Sequence, residues 1–467
     1  MKQLFALLSC AALLGGCALQ PPAPTPASDV PIQWYAPPLP HQGSTEDLAQ
    51  WWARLGDPVL SDWIARAQAS SPSVAAANAQ VVTAWAALAA SDALAGPQLS
   101  LVASTSRGRQ DPDTPLGNAL GGGLQASWVL DLWGRAAHES AAGQARQDAA
   151  GASWHEARVV VAAEVARLYV AHRLCLAQLA VASSDRDSRA ETARSSRVTE
   201  KVGLTAPAVL ALAQASHAEA QARTQTQADT CERQIKALVA LTGVPEPTLR
   251  TQLAQSPGWR ADALVPLAVQ AVPAQVIRQR PDVYRAQREL VAAGEGAGAA
   301  RAALLPNLSL SGSLLRNHFS SADKNSSFNT WSVGPLAINL PLIGRAALNA
   351  NASAAQVRYE AAAQVYAASL RQAVAEVEQS LVTLSGLQWR QTATDAAVAG
   401  YQQSFKATEA RHRVGLANLN ELEEARRLRL NAQSSAIALQ QERFNAWVAL
   451  YLALGGGFDP AQPQPTL

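Results

Sequence analysis

The sequence predicts an α+β membrane protein: an internally duplicated chain in which each protomer supplies four transmembrane β-strands and several long helices. Three observations carry this prediction. Landmarks recur in the same order at a fixed spacing, four segments alternate apolar and polar residues at equivalent places in the two copies, and two very long runs contain no proline. Gly96-Pro97-Gln98-Leu99-Ser100-Leu101 returns as Leu305-Pro306-Asn307-Leu308-Ser309-Leu310, a shift of 306 − 97 = 209. Leu132-Trp133-Gly134-Arg135 returns as Leu342-Ile343-Gly344-Arg345 (344 − 134 = 210), and Val202-Gly203-Leu204 as Val414-Gly415-Leu416 (415 − 203 = 212). Three landmarks in one order mean a duplicated unit.

Composition narrows the class. Charged residues are only 16% of the 467 and alanine is abundant, which suits extended helix packing better than several compact enzyme cores. A formal net charge of +2, with no basic run interleaved with aromatics, gives no case for nucleic acid.

From the N-terminus, residues 1–16 read as a secretory signal: Lys2, an apolar run from Leu4 to Leu14, then Leu14-Gly15-Gly16-Cys17. Small residues before a cysteine are what lipoprotein signal peptidase requires, so Cys17 is the expected lipidated first residue of the mature chain. The alternative is an ordinary signal peptide with an incidental cysteine; a rival box ending at Cys10 leaves too short an apolar run. Ala18, rather than aspartate, follows Cys17 and favours the outer membrane of a Gram-negative cell. No run of eighteen apolar residues follows, so no second helical span is expected. Residues 17–46 are a Pro-rich tether, 47–247 the first repeat, 248–272 a polar linker, 273–458 the second repeat and 459–467 a tail.

The strands rest on strict alternation. Gln98 and Ser100 oppose Leu99 and Leu101; Leu124, Ala126, Trp128, Leu130 and Leu132 oppose Gln125, Ser127, Val129 and Asp131. In the second copy Asn307, Ser309, Ser311 and Ser313 oppose Leu308, Leu310, Gly312 and Leu314, followed by Leu336, Ile338 and Leu340 against Ala337 and Asn339. Loops rich in Gly, Asp, Ser and Asn, about 107–123 and 318–330, make these two hairpins, spanning about 97–133 and 306–341. About ten residues per strand crosses a bilayer, and an apolar face backed by a polar one suits a water-filled barrel, although a half-buried soluble sheet alternates in the same way. Trp128, Trp133 and Trp331 fit an interfacial aromatic belt. Four strands leave open edges that lipid does not tolerate, and closure by symmetry from three copies gives a twelve-stranded barrel.

The helices follow from the proline-free runs. Arg135 to Val202 and Arg345 to Val414 would each form a helix of roughly 100 Å at 1.5 Å per residue, more than any compact domain holds. Returning helices, about 208–241 and 418–454, cover half of each; helices before the strands, about 72–95 and 282–304, supply the rest. Cys175 and Cys231 lie 203 − 175 = 28 and 231 − 203 = 28 residues either side of Gly203, at one level if the chain folds back there, either as a disulfide or as two buried thiols.

Together these residues resemble the outer membrane factor family, the TolC-like channels of tripartite efflux pumps, and within it the NodT-like efflux lipoproteins. The resemblance is carried by Trp51-Trp52-Ala53-Arg54-Leu55-Gly56-Asp57-Pro58, Leu130-Asp131-Leu132-Trp133-Gly134-Arg135, Arg278-Gln279-Arg280-Pro281-Asp282-Val283, Ala302-Ala303-Leu304-Leu305-Pro306-Asn307-Leu308 and Leu454-Gly455-Gly456-Gly457. It implies a homotrimer with a twelve-stranded barrel in the outer membrane and a helical tunnel across the periplasm. It also implies passive transport of drugs or toxic small molecules, energised by an inner-membrane pump of resistance-nodulation-division type through a periplasmic adaptor, a membrane fusion protein.

Residue by residue, the resemblance places the adaptor-contact tips at Val202, Gly203, Leu204, Val414, Gly415 and Leu416, where a bare hairpin turn would also use glycine. It places the periplasmic gate at Glu421 and Glu424, where a solvated helix face with Glu421, Glu423 and Glu424 paired to Arg426 and Arg427 is the competing reading. Gly134, Pro341 and Gly344 become the strand-to-helix junction. An enzyme is not expected, nor a cofactor or metal: no H-E-x-x-H pattern or zinc-spaced cysteines occur, and Gly294, Gly296 and Gly298 sit in an Ala-rich helical stretch. A periplasmic structural coiled-coil lipoprotein is the alternative; it has no need of two strand hairpins.

Overall fold

A computed structural model describes residues 34–36, 51–109, 116–256, 277, 279–321 and 325–459. Cys17, the signal segment, the tether apart from 34–36 and the tail beyond Asp459 lie outside the described residues. The element order is α1 (Pro58–Ser70), α2 (Pro72–Ala95), β1 (Gln98–Gly108), β2 (Gly117–Leu130), α3 (Arg135–Lys201), α4 (Pro207–Thr242), α5 (Glu246–Gln255), α6 (Pro281–Ala302), β3 (Asn307–Ser321), β4 (Asn325–Asn339), α7 (Arg345–Arg413) and α8 (Leu419–Ala453).

Helix starts are written locally. Pro58, Pro72, Pro207 and Pro281 each open a helix, where the missing N–H costs nothing. Asp57 caps α1 through Val59 N–H at 3.0 Å. The two long helices have 67 and 69 residues, which accounts for the drift of the repeat spacing between junction and tip. Along α3, α2 and α4 pack one after the other; α6 and α8 do the same between α3 and α7. At either level the wall is therefore four helices wide, matching the four strands above it. By composition α2 is long and apolar enough to cross a bilayer, with a mean hydropathy of 1.3, but its apolarity is mostly alanine and it lies along α3 as wall.

The strands form one antiparallel sheet in the order β1-β2-β3-β4, so the central pairing joins the two repeats. Direct partners share a face, which produces apolar rows such as Leu101, Leu124, Leu314 and Trp331. The opposite face holds Ser100, Gln125, Ser313 and Ser332, with Ser313 and Ser332 hydroxyls 2.9 Å apart and Asn317 donating to Thr330 at 3.0 Å.

Three sequence expectations are corrected here. The stretches 107–123 and 318–330, read as loops, are mostly strand: β2 starts at Gly117, β3 runs to Ser321 and β4 begins at Asn325. Glycine in Gly121-Gly122-Gly123 marks close backbone approach rather than a turn, since a Cβ on Gly123 would lie 2.0 Å from the Leu314 carbonyl oxygen. With the strands longer, Trp331 falls in mid-strand; the Trp133 indole donates to the Pro306 carbonyl at 2.7 Å, tying the junction together. A bulge at Gly334-Pro335 also reverses the phase of β4, so Trp331 and Val333 before it share the apolar face with Leu336 and Ile338 after it. The linker expected from Thr248 begins instead as α5, because Leu249 and Leu253 are buried against the first repeat.

The main core sits at mid-height of the long helices. Trp51 stacks on Tyr451 with centroids 5.0 Å apart, and Tyr169 O–H and Ser256 O–H both donate to Asp57 Oδ2. Arg280 is the hub of the second repeat's joint. It donates to Asp282 at 2.7 Å, to Glu376 on α7 at 2.7 Å and to the Ala453 carbonyl at the end of α8 at 2.9 Å. Arg280→Ala would take the guanidinium from two partly exposed carboxylates and the Ala453 carbonyl, an expected loss of about 2–3 kcal/mol, visible as weakened heat resistance of the oligomers in detergent. Burial pushes the Asp282 carboxyl up, but the Arg280 guanidinium outweighs it and holds the group below its ordinary value. A carboxyl depressed in the folded state contributes stability above its unfolded value and loses it as pH falls through the folded one. Thermal stability should thus hold from neutrality to about pH 4 and drop below it, and less so in Asp282→Asn.

Candidate functional site

At the barrel-to-helix junction Gly134 and Gly344 have φ of 73° and 82°, the left-handed region, and each is the residue immediately before a long helix. Asp131, where the second repeat has Pro341, accepts the Ala137 N–H at 3.0 Å. Pro341 lies two residues past β4, lining a cavity of about 490 Å³ with Trp133 and Leu132. The two copies differ here, with an acid that accepts from the first turn of the helix in one and a proline between strand and helix in the other.

The tips are alike to the hydrogen bond. Gly203 and Gly415 both have φ of 76°. Leu204 N–H donates to Thr199 O at 2.8 Å, and Leu416 N–H to Arg411 O at 2.8 Å, which is the six-residue closure of a Schellman turn. Such a turn normally buries the apolar residue after the glycine against its own helix, yet Leu204 is 80% exposed and Leu416 70%. The fold brings both tips together: Leu204 and Gly415 line the same crevice, of about 940 Å³, between the two helical hairpins. No atom lies within 4 Å of a Cβ added to either glycine.

Glu421 and Glu424 sit in the first two turns of α8. Asn418 caps that helix through Glu421 N–H at 2.9 Å. Glu421 lies 3.5 Å from Arg411, and Glu424 pairs with Arg427 at 2.6 Å, which holds its carboxyl below the usual range. Both acids are about half exposed, at 45% and 54% of the side chain, so each is a paired surface carboxylate within one chain.

The third acid of that run, Glu423, does pair with Arg426 as the competing reading had it, but not on a solvated face. Glu423 turns inward and takes part in a network that joins the hairpins. Arg189 on α3 donates to Asp185 at 2.9 Å and also to Ser216 on α4 and Glu423 on α8. Arg426 donates to Glu423 at 2.7 Å, Thr192 at 2.6 Å and the Ser188 carbonyl at 3.1 Å. The spacings Asp185/Arg189 and Glu423/Arg426 were visible as helical pairs, but only the packing of α8 on α3 shows that they meet. Cys175 and Cys231 are joined by a disulfide between α3 and α4, with Cα atoms 5.6 Å apart. Among the described residues no cluster of His, Cys, Asp and Glu could hold a metal ion.

The comparisons agree with this geometry. A family model described as outer membrane efflux protein matches residues 63–244 and 272–456. The pyoverdine export outer membrane protein OpmQ of Pseudomonas aeruginosa is 29% identical, with 98% of each chain covered. Nodulation protein T of Rhizobium leguminosarum bv. trifolii is 25% identical over 96% of each. Among solved structures, the CmeC outer membrane channel of Campylobacter jejuni superposes with a TM-score of 0.83 at 23% identity, covering 96% of this chain and 97% of that one.

Proposed function

The chain belongs to the outer membrane efflux protein family, and from that premise we propose that it is the trimeric exit duct of a tripartite exporter. The observation that carries this reading is the open sheet: four strands, one apolar and one small polar face, and two unpaired edges, β1 and β4, on top of helices that span roughly 100 Å. In hydrocarbon an open edge leaves backbone N–H and C=O groups without partners, so the sheet is viable there only when closed. Three copies of four strands close it as twelve, with the serine and asparagine face inside and water in the lumen. Such a duct has no energy source of its own. An inner-membrane pump of resistance-nodulation-division type drives it through a periplasmic adaptor that meets the exposed tips around Gly203 and Gly415, and the pump sets the substrate.

Lipidation at Cys17 holds the N-terminus in the inner leaflet of a Gram-negative outer membrane. The chain performs no catalysis; a periplasmic coiled-coil lipoprotein leaves the apolar sheet face without a role. Heat-resistant trimers in detergent and stepwise ion conductance in planar bilayers are the expected results, whereas a water-soluble, non-conducting monomer would sink the reading.

The gate follows from the same assembly. Symmetry brings three copies of Glu421 and Glu424 around the tunnel end, and like charges in a narrow pore repel and retain cations. Replacing both with alanine should raise single-channel conductance or lower cation selectivity. Unchanged currents would return these residues to a solvated face, paired as they are with Arg411 and Arg427.

A further inference from the structure

Where α8 ends and α6 begins, the column of wall between α3 and α7 is interrupted, and a cavity of about 540 Å³ opens there. Much of its lining is apolar, with Val159 and Val160 on α3 and Ala449 and Leu452 on α8. Five charged side chains line it as well, and four of them are already committed. Glu156 accepts from Arg285 at 2.8 Å, while Asp282 and Glu376 accept from Arg280 at 2.7 Å each. The fifth is Arg167. Among the described residues its buried Nε has no hydrogen-bond partner, and Glu164, the acid that acts on it from three places back, forms no ion pair with it. Desolvation holds this guanidinium below its ordinary value. A cation partly withdrawn from water is unfavourable unless something pairs with it.

The wall itself decides what can reach Arg167. At 3.6 residues per turn, residues two apart point about 200° apart, so Arg167 and Tyr169 face opposite sides of α3. Tyr169 meets α1 and the end of α5, its ring edge-on to Trp63 at 5.9 Å and its hydroxyl 3.1 Å from Ser256. The cavity therefore opens on the side that α1 and α5 leave bare. A ring of twelve helices about 10 Å apart is about 38 Å across, and helices about 10 Å thick leave about 28 Å free inside it. Three further helical layers would close that space, so α1 and α5 lie outside and Arg167 faces the lumen. Trimer closure uses the flanks of the wall, α2 and α4 on one side and α7 on the other, and leaves a cavity centred on the column of α6 and α8 free.

We propose that this cavity is a lumenal binding site for a small amphiphile that carries a carboxylate, with the anion on Arg167 and the apolar body over Val160 and Ala449. Its place in a lumen rests on the reading of the chain as a trimeric duct. Three copies make a ring of anion receptors at mid-height, which retains carboxylate-bearing passengers longer than uncharged ones of the same shape.

The probe is 2-naphthoate, with naphthalene-2-carboxamide as its uncharged counterpart, added to full-length trimers in nanodiscs and followed by saturation-transfer NMR. Wild type should bind the carboxylate about tenfold or more tightly than the amide, as expected of a charge-assisted hydrogen bond in a partly buried site. Arg167→Gln should weaken naphthoate by about the same factor and leave the amide unchanged. In planar bilayers naphthoate should reduce the wild-type current and not that of Arg167→Gln. The variant should melt no lower than wild type, because it removes a cation without removing a partner. Equal affinity for acid and amide, or equal naphthoate binding by wild type and variant, overturns the site. A lower melting temperature for Arg167→Gln shows a partner already in place and overturns the uncommitted receptor. Absence of trimers or of conductance refutes the duct instead, and the difference in naphthoate binding between wild type and Arg167→Gln still reads the cavity.

Discussion

Gly455→Ala is expected to abolish assembly of the channel. Gly455 has φ of 86°, and an added Cβ would lie 2.1 Å from the Gln279 carbonyl oxygen, a backbone atom that cannot swing aside. The left-handed backbone costs an alanine about 1–2 kcal/mol, and separating the α8 terminus from the start of α6 also breaks the Arg280 hydrogen bond to Ala453. The sum should exceed about 4 kcal/mol, enough to empty the membrane fraction of trimer. Gly456→Ala should behave alike, because its Cβ would meet Val159 of α3 at 2.3 Å and so part the two repeats. Gly386→Ala on an open face of α7 is the control, with an expected gain of up to about 1 kcal/mol. Outer membrane yield and detergent melting of the trimer measure all three. Normal melting of Gly455→Ala would contradict the close approach.

Export should fail without loss of the trimer when bulk is placed at the tips. Gly203→Trp combined with Gly415→Trp strains two positive-φ positions by about 1–3 kcal/mol each, but a Cβ at either position has no atom of its own chain within 4 Å, so the new side chain starts from open space. The added volume is expected to act on whatever docks against the exposed Leu204 and Leu416. Drug susceptibility should rise to that of a strain lacking the channel, with trimer yield and bilayer conductance retained. Alanine at both positions carries the same backbone strain without the bulk and should keep most export. Should the tryptophan pair export normally, the tips are not the adaptor's docking site.

How much of this was legible depended on the range of the interaction. The tips and junctions could be read because a left-handed turn selects glycine locally, twice, at Gly203 and Gly415 and at Gly134 and Gly344. Strand limits were obscured because glycine serves both turns and close backbone approach, and Gly123 is the second kind. The face of β4 beyond its bulge was legible from Leu336 and Ile338, while the face before it was not, since one inserted residue reverses the phase across the bulge. Glu423 was read with Glu421 and Glu424 as one solvated face, yet it alone of the three turns inward. On a helix of 3.6 residues per turn, adjacent acids face different surroundings.

By itself the sequence determined the duplication, the two hairpins, the long helices and the four-strand share of a barrel that one chain cannot close. Each of these follows from periodicity, proline spacing or glycine placement, which act within a few residues. The tertiary structure alone decided which helix lies beside which, and with it the burial of Arg280 among Asp282, Glu376 and the Ala453 carbonyl. It also decided that Arg189 and Arg426 enclose Glu423. These contacts join residues far apart in the chain, and a charged side chain reads the same in sequence whether it ends in water or against a partner. Burial is what separates the two outcomes, since a desolvated charge must be paired and an exposed one need not be.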